Sequence, residues 1–317
     1  MSSYILRRIM IGILVAFAVV TAVFFSLHIA PGDPVNMLIP PDAGSGVGED
    51  IANQIREKYG LNKPLYIQYF MYLNRLVHLN FGESMVTGRD VSGALIRRYP
   101  ATIELALASL AIACLIGIPA GVISAVYQNT IIDSFSRIFA LLGVSLPNFW
   151  LGLMLVLFFS LQLGWLPSLG KGGPIWTIRG LKHLILPAIT LGTASASLIM
   201  RLTRSSMLDI LLEDYITTAR AKGLKERVVI YIHALRNALI PVVTVLGLQF
   251  GLLLGGSVVI ETVFSWPGIG RYAVQAITSK NFPAVQGSVI FISLGFLIVN
   301  LIVDLFYCFL DPRIVYD

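Results

Sequence analysis

Glu213 to Pro241, EDYITTARAKGLKERVVIYIHALRNALIP, is a charged, helix-patterned segment set between two apolar runs that carry no charge. Its first half places Leu211, Leu212, Tyr215, Ile216 and Ala219 on one helical face. Its second half spaces Val228, Ile232, Leu235 and Leu239 by four, three and four. Two short amphipathic helices are predicted. Gly223 stands between them, where a left-handed C-cap lets one helix stop and the next turn away. Such an elbow, on the water side of a membrane, is shaped to hold a partner.

The rest of the chain supplies the membrane. Of its 317 residues 13% are charged, against the roughly 25% usual for soluble domains, and 56% are hydrophobic. Stretches free of Asp, Glu, Lys and Arg run over 9–32, 105–132, 138–170, 184–200, 237–260 and 281–303. Each is near or beyond the roughly 17 to 25 residues that cross a hydrocarbon core as a helix. The predicted fold is therefore all-α, with six membrane-spanning helices. Pro119, Pro147 and Pro187 lie in or at the ends of them, which membrane helices tolerate. Residues 1–30 form the first span with a cytoplasmic N-terminus, 31–100 a large outer loop, and 101–317 a five-helix core containing the cytoplasmic loop 201–237.

Basic residues near helix ends set the orientation. Arg7 and Arg8 precede the first span, and Arg201, Arg204, Arg220, Lys222, Lys225, Arg227 and Arg236 fill the loop. With six spans both termini share a side, so these clusters fall together in the cytoplasm. The outer loop also carries basic residues, but at about 70 residues it exceeds the length over which the rule holds. The net charge of +6 reads as topology, and no basic cluster accompanies a nucleic-acid-binding module. The N-terminal apolar run is too long for a cleaved signal peptide and no small-x-small site follows it.

Within the outer loop a helix ends near Gly60, a break falls at Pro64, and a second helix puts Tyr66, Tyr69, Leu73 and Leu76 on one side. The preceding PPDAGSGVGE, from Pro40 to Glu49, is turn-rich and the candidate mobile piece. In span five, Gly247, Gly251 and Gly255 recur every four residues and leave a flat face for close helix approach. The same span offers Thr244, Gln249 and Ser257 as polar contacts for a substrate, so Gly251 and Gly255 with these three are the candidate lining of a passage. Gly117 and Gly121 flank Pro119 and read as packing.

Glu104, Asp133 and Asp304 lie near predicted helix ends, and this scarcity of charge at depth weighs against an ion-coupled carrier. Cys114 and Cys308 fall inside spans and suggest neither a disulfide nor a metal site. His28, His78, His183 and His233 are isolated and read as capping or interfacial residues. The segment GWLPSLGKG, from Gly164 to Gly172, is one residue too long for a phosphate loop and ends in Gly172 where Ser or Thr is required. An intramembrane hydrolase would rest on His183 with Ser195 or Ser197 alone.

The elbow resembles the cytoplasmic coupling loop of ABC-type importer permeases, with Ala219, Gly223 and Leu235 at the expected spacing, Thr217 and Thr218 in place of two letters of that pattern, and Arg236 in place of its Pro. DYITTARAKGL and HALRNALIPVVT resemble the variant in permeases of the dipeptide, oligopeptide, glutathione and nickel uptake family. So do APGDP from Ala30, FGES from Phe81, ATIELALASL from Ala101, LILPAITLG from Leu184, RLTRSSMLDIL from Arg201, FSWPGIGR from Phe264, NFPAVQG from Asn281 and DPRI from Asp311.

That resemblance implies a permease subunit in a bacterial inner membrane, with both termini cytoplasmic and no nucleotide or metal site of its own. ATP would be used by two partner ATP-binding subunits contacting Asp214, Tyr215, Ala219, Arg220, Lys222, Gly223, His233, Arg236 and Asn237. A second related permease would complete the passage across the lipid bilayer, and a periplasmic binding protein would deliver a small peptide. A nickel or metal-chelate importer of the same family, an ion-coupled carrier and a non-transporting membrane scaffold are the alternatives.

Overall fold

The computed structural model describes the backbone of residues 2–29, 35 and 45–310, and the side chains of 7–29, 35 and 48–303. The APGDP stretch, residues 40–44 of the turn-rich connection, the DPRI stretch and the side chains of Asp304 and Cys308 lie outside the described residues. Among the described residues all regular structure is helical, apart from one isolated antiparallel bridge between Glu83 and Asp90.

The helices, in chain order, are α1 (Ser2–Ile29), α2 (Ser45–Tyr59), α3 (Leu65–Val77), α4 (Val91–Val126), α5 (Ile131–Ser145), α6 (Asn148–Leu155) and α7 (Ile178–Leu211). There follow α8 (Asp214–Ala221), α9 (Glu226–Val228), α10 (Leu235–Gly256), α11 (Val258–Val263), α12 (Ile269–Thr278) and α13 (Phe282–Leu310). Two π-helical segments, Val156–Gln162 and Val229–Ala234, prolong α6 and join α9 to α10.

Among the described residues five helical stretches are long and apolar enough to cross a membrane: Arg7–Ile29, Val91–Val126, Ile178–Leu211, Glu226–Gly256 and Phe282–Val303. A sixth crossing exists only if Ile131–Ser145 and Asn148–Gln162 count together, and these meet at 103°. The expected straight spans over 105–132 and 138–170 are thus redrawn. The first is interrupted after Val126 by a turn in which Asn129 takes φ 62°, and Thr130 caps α5 by accepting from the Asp133 amide. The second breaks at Pro147, which lacks an N–H and holds Leu146 extended at φ −80°, ψ 130°. α4 also starts at Val91, well before the apolar run that opens at Leu105, and α7 runs on through Arg201 and Arg204 to Leu211.

The chain divides into two compact units, Met1–Ala101 with Pro267–Gly295, and Thr102–Trp266 with Phe296–Asp317. In the first, Val91 and Leu95 of α4 bury against Ile269, Ala276, Ala284 and Val285. The FGES and NFPAVQG stretches meet there: Asn281 donates to Ser84 Oγ at 2.7 Å and accepts from the Met85 amide at 3.1 Å. Satisfying that side chain inside the unit repays its burial. Gly60 ends α2 at φ 70° and Pro64 precedes α3, as expected. Tyr69 and Tyr72 of α3 lie against Phe24 of α1, with Tyr69 Oη 2.7 Å from Thr21 Oγ1 and Gln68 3.1 Å from His28 Nε2. Tyr66, expected on the same side, is exposed.

In the second unit, small residues let backbones touch. A methyl added at Gly117 would sit 2.6 Å from the Ala196 carbonyl, at Gly121 2.6 Å from Thr203 Cβ, and at Gly192 2.6 Å from the Ser109 carbonyl, so α4 and α7 are sealed along their length. Gly247 and Gly251 do the same for α10 against Val303 and Phe296 of α13, whereas Gly255 is exposed. Lys171 of the GWLPSLGKG segment pairs with Glu104, which gives that lysine a structural role. Glu261 is fully buried and accepts from Thr102 Oγ1 at 2.7 Å and Ser257 Oγ at 3.0 Å.

Candidate coupling elbow and passage

α8 ends in a Schellman motif. The Gly223 amide donates to the Arg220 carbonyl at 2.9 Å and the Leu224 amide reaches back to Ala219 at 3.4 Å, with Gly223 at φ 77°. The left-handed cap expected at Gly223 is present. Beyond it the chain does not form a separate second helix: α9, the π segment and α10 run on as one span-length element, with Pro241 inside it. The elbow is one short helix beside the root of a long one.

Ile216 and Ala219 point into the protein, where they bury with Val122 and Ala125 of α4, Met207 of α7, and Val229, Ile230, Ala234 and Ala238. The inward set of the second half is therefore not Val228 and Ile232. The π segment, with its i to i+5 bonding, rotates the register so that Ile232 is exposed and Val229, Ile230 and Ala234 face inward. Ala219, expected on the face offered to a partner, is covered by the chain's own core.

Polar contacts brace the elbow from outside. Asn237 Nδ2 donates to Tyr215 Oη at 2.8 Å, tying α8 to α10. Arg220 closes on Glu226 across the turn, Nη2 to Oε1 at 2.8 Å, and this carboxylate holds the guanidinium's pKa above its ordinary value. Asp214, Lys222 and Arg236 are exposed, and His233 is half-buried. Leu212 at 85%, Leu224 at 41% and Tyr215 at 40% exposure leave large apolar groups on the outside of the elbow.

Of the candidate passage residues, Gln249 lines a cavity of about 770 Å³ between α5, α7 and α10, where Ser195 Oγ donates to its Oε1 at 3.4 Å. Thr244 is half-buried, Gly251 is packed under Phe296, and Ser257 is spent on Glu261. Two features escaped the sequence. Asp133, with no exposed surface, accepts two bonds from Arg204 at 2.9 Å each, one from Ser124 Oγ at 2.6 Å and one from the Asn129 amide at 3.0 Å. The cavity wall carries Arg137, Arg201 and Arg204. No local signal announces either, since Asp133 and Arg204 lie 71 residues apart.

A family model described as the binding-protein-dependent transport system inner membrane component matches residues 117–316, and its N-terminal companion matches 1–106. The glutathione transport system permease protein GsiC of Escherichia coli (strain K12) is 42% identical over 316 residues, covering 100% of both chains, and the protein of that name in Shigella dysenteriae serotype 1 (strain Sd197) matches to the same extent. Among solved structures, an inward-facing MetNI methionine ABC transporter aligns with a TM-score of 0.50 at 22% identity, covering 67% of this chain and 95% of that one. An amino acid ABC transporter with histidines aligns at 0.51 and 17%, covering 69% and 95%. At those identities the likeness is one of fold.

Proposed function

The chain belongs to the family of binding-protein-dependent transport system inner membrane components, and on that footing we propose that it is half of the passage of an ATP-driven importer of small peptides of glutathione size. It is an ABC-importer permease, the multi-pass membrane component and not the nucleotide-binding subunit. The glutathione permeases that align along its whole length support the substrate class.

We assign six crossings, with the bent α5–α6 pair as the third, both termini and the elbow in the cytoplasm of a bacterial inner membrane, and the 31–100 segment on the outer side. A second related permease, two ATPase subunits and a binding protein complete the machine. The observation that carries the coupling role is the division of labour in α8. Ile216 and Ala219 anchor it to α4, α7 and α10, while Leu212, Tyr215 and Leu224 remain outside as a contact surface for the ATPase subunits. A push on that surface moves three spans together, because the buried side is packed as closely as a protein interior. Asp214, Arg220, Lys222, Gly223, His233, Arg236 and Asn237 shape or edge the same contact, and Thr244, Gln249, Gly251, Gly255 and Ser257 belong to the element that reorients.

Vesicles holding the reconstituted complex test this directly. Uptake of radiolabelled glutathione presented with the binding protein should stop with vanadate and persist with an uncoupler. Loss with the uncoupler and persistence with vanadate would make it an ion-coupled carrier.

A further inference from the structure

We propose that Arg137 and Arg201 form a carboxylate-attracting subsite within the passage, which draws anionic peptides through it. This rests on the importer reading above and adds a charge selectivity to it. The cavity of about 770 Å³ follows α7 from Ala194 to Ser205, roughly 17 Å of helix, and is walled on the other sides by α5 and by Gln249 of α10. Its two ends differ chemically. Ser195, Ser197 and Gln249 supply neutral polar groups at one, and Arg137, Arg201 and Arg204 supply guanidinium groups at the other.

The charge there is not balanced. Arg204 is consumed by Asp133, both bonds being 2.9 Å, and Arg137 lies 3.6 Å from an oxygen of that same carboxylate. One negative charge therefore faces two positive ones. Arg201 stands on the wall with no ion pair or hydrogen bond among the described residues. Arginines within a spanning segment are costly unless they face a watered cavity or a counter-charge, and such positions mark the routes of charged substrates. A guanidinium is the side chain best matched to a planar carboxylate. Every peptide ends in one. A peptide with a second carboxylate, as glutathione has, meets a wall carrying two uncompensated charges, and a cationic peptide meets repulsion.

Charge can be varied at one atom position while substrate and binding protein stay the same. In a complex whose permease has Cys114 and Cys308 replaced by Ser, Arg201→Cys is modified with methanethiosulfonate reagents of similar size that are cationic, neutral or anionic. Glutathione uptake should follow the order cationic, neutral, anionic, with each step of one charge changing it by up to about fivefold, the worth of one exposed charge contact. Arg201→Lys should retain most of the uptake. Equal uptake after all three reagents would overturn the subsite while leaving the importer intact. An order that vanishes in vesicles of phosphatidylcholine alone would mean that Arg201 reads anionic lipid, and would also overturn it. Absence of vanadate-sensitive glutathione uptake in the unsubstituted complex would instead remove the importer reading on which the subsite rests.

Discussion

Arg204 on α7 grips both carboxylate oxygens of Asp133 on α5, Nε to Oδ1 and Nη2 to Oδ2, each at 2.9 Å, at a point where Asp133 has no contact with solvent. Ser124 of α4 donates to the same carboxylate at 2.6 Å. Three helices, of which α4 and α7 also build the hydrophobic seat of the elbow, are thus joined at one side chain.

Asp133→Asn keeps the shape but strands a guanidinium whose side chain is only 21% exposed. Removing one partner of such a pair costs about 3–5 kcal/mol. The yield of detergent-soluble, folded complex and its unfolding temperature should both fall. Replacing both partners by leucine should recover part of the loss, because no buried charge is left alone.

Gly223 has no atom within 4 Å of the place a Cβ would occupy, so its requirement is conformational and not spatial. At φ 77° an L side chain costs about 1–2 kcal/mol. Gly223→Val should lower hydrolysis stimulated by the loaded binding protein, and Gly223→Asn, which tolerates the left-handed region, should lower it less. Equal stimulation in both variants and wild type would mean that the cap does not transmit force.

Ala219 and Thr217 sit two residues apart on α8, one buried and one exposed. Ala219→Arg forces a charge into the seat formed by Val122, Met207 and Ala234 and should unseat α8, read as faster proteolysis at the elbow. Thr217→Arg should leave proteolysis unchanged. The reverse ranking would place the seat on the wrong side of the helix.

Gly251→Leu would drive a side chain into Phe296, whose ring lies 3.1 Å from the position of the added Cβ. Overpacking of this kind costs about 1–3 kcal/mol. A lower unfolding temperature of the purified chain is expected, with a milder loss for Gly251→Ala.

Single cysteines at Lys58 and Lys225, both in exposed positions, should label from opposite faces of intact cells in a background without Cys114 and Cys308. Labelling of both by one impermeant reagent would remove the six-crossing assignment.

Composition and periodicity determined that this chain is helical and membrane-spanning, because each helix must satisfy its own backbone in lipid and the apolar runs are long enough to do so. Local chemistry also determined the cap at Gly223, the break at Gly60 and Pro64, and the close-packing role of Gly117, Gly121, Gly247 and Gly251. Each depends on a few neighbouring residues. The bend at Pro147 was written in the sequence too, yet a charge-free run does not distinguish a straight span from two helices at 103°. Only the tertiary structure decided which side of the elbow faces inward, because the π segment at Val229–Ala234 shifts the register by a step that helical periodicity does not encode. It alone joined Asp133 to Arg204, Glu261 to Thr102, and Asn281 to Ser84, partners separated by 71, 159 and 197 residues. Buried polar groups select their partners by proximity in the packed state, and that proximity is set by how the helices close on one another.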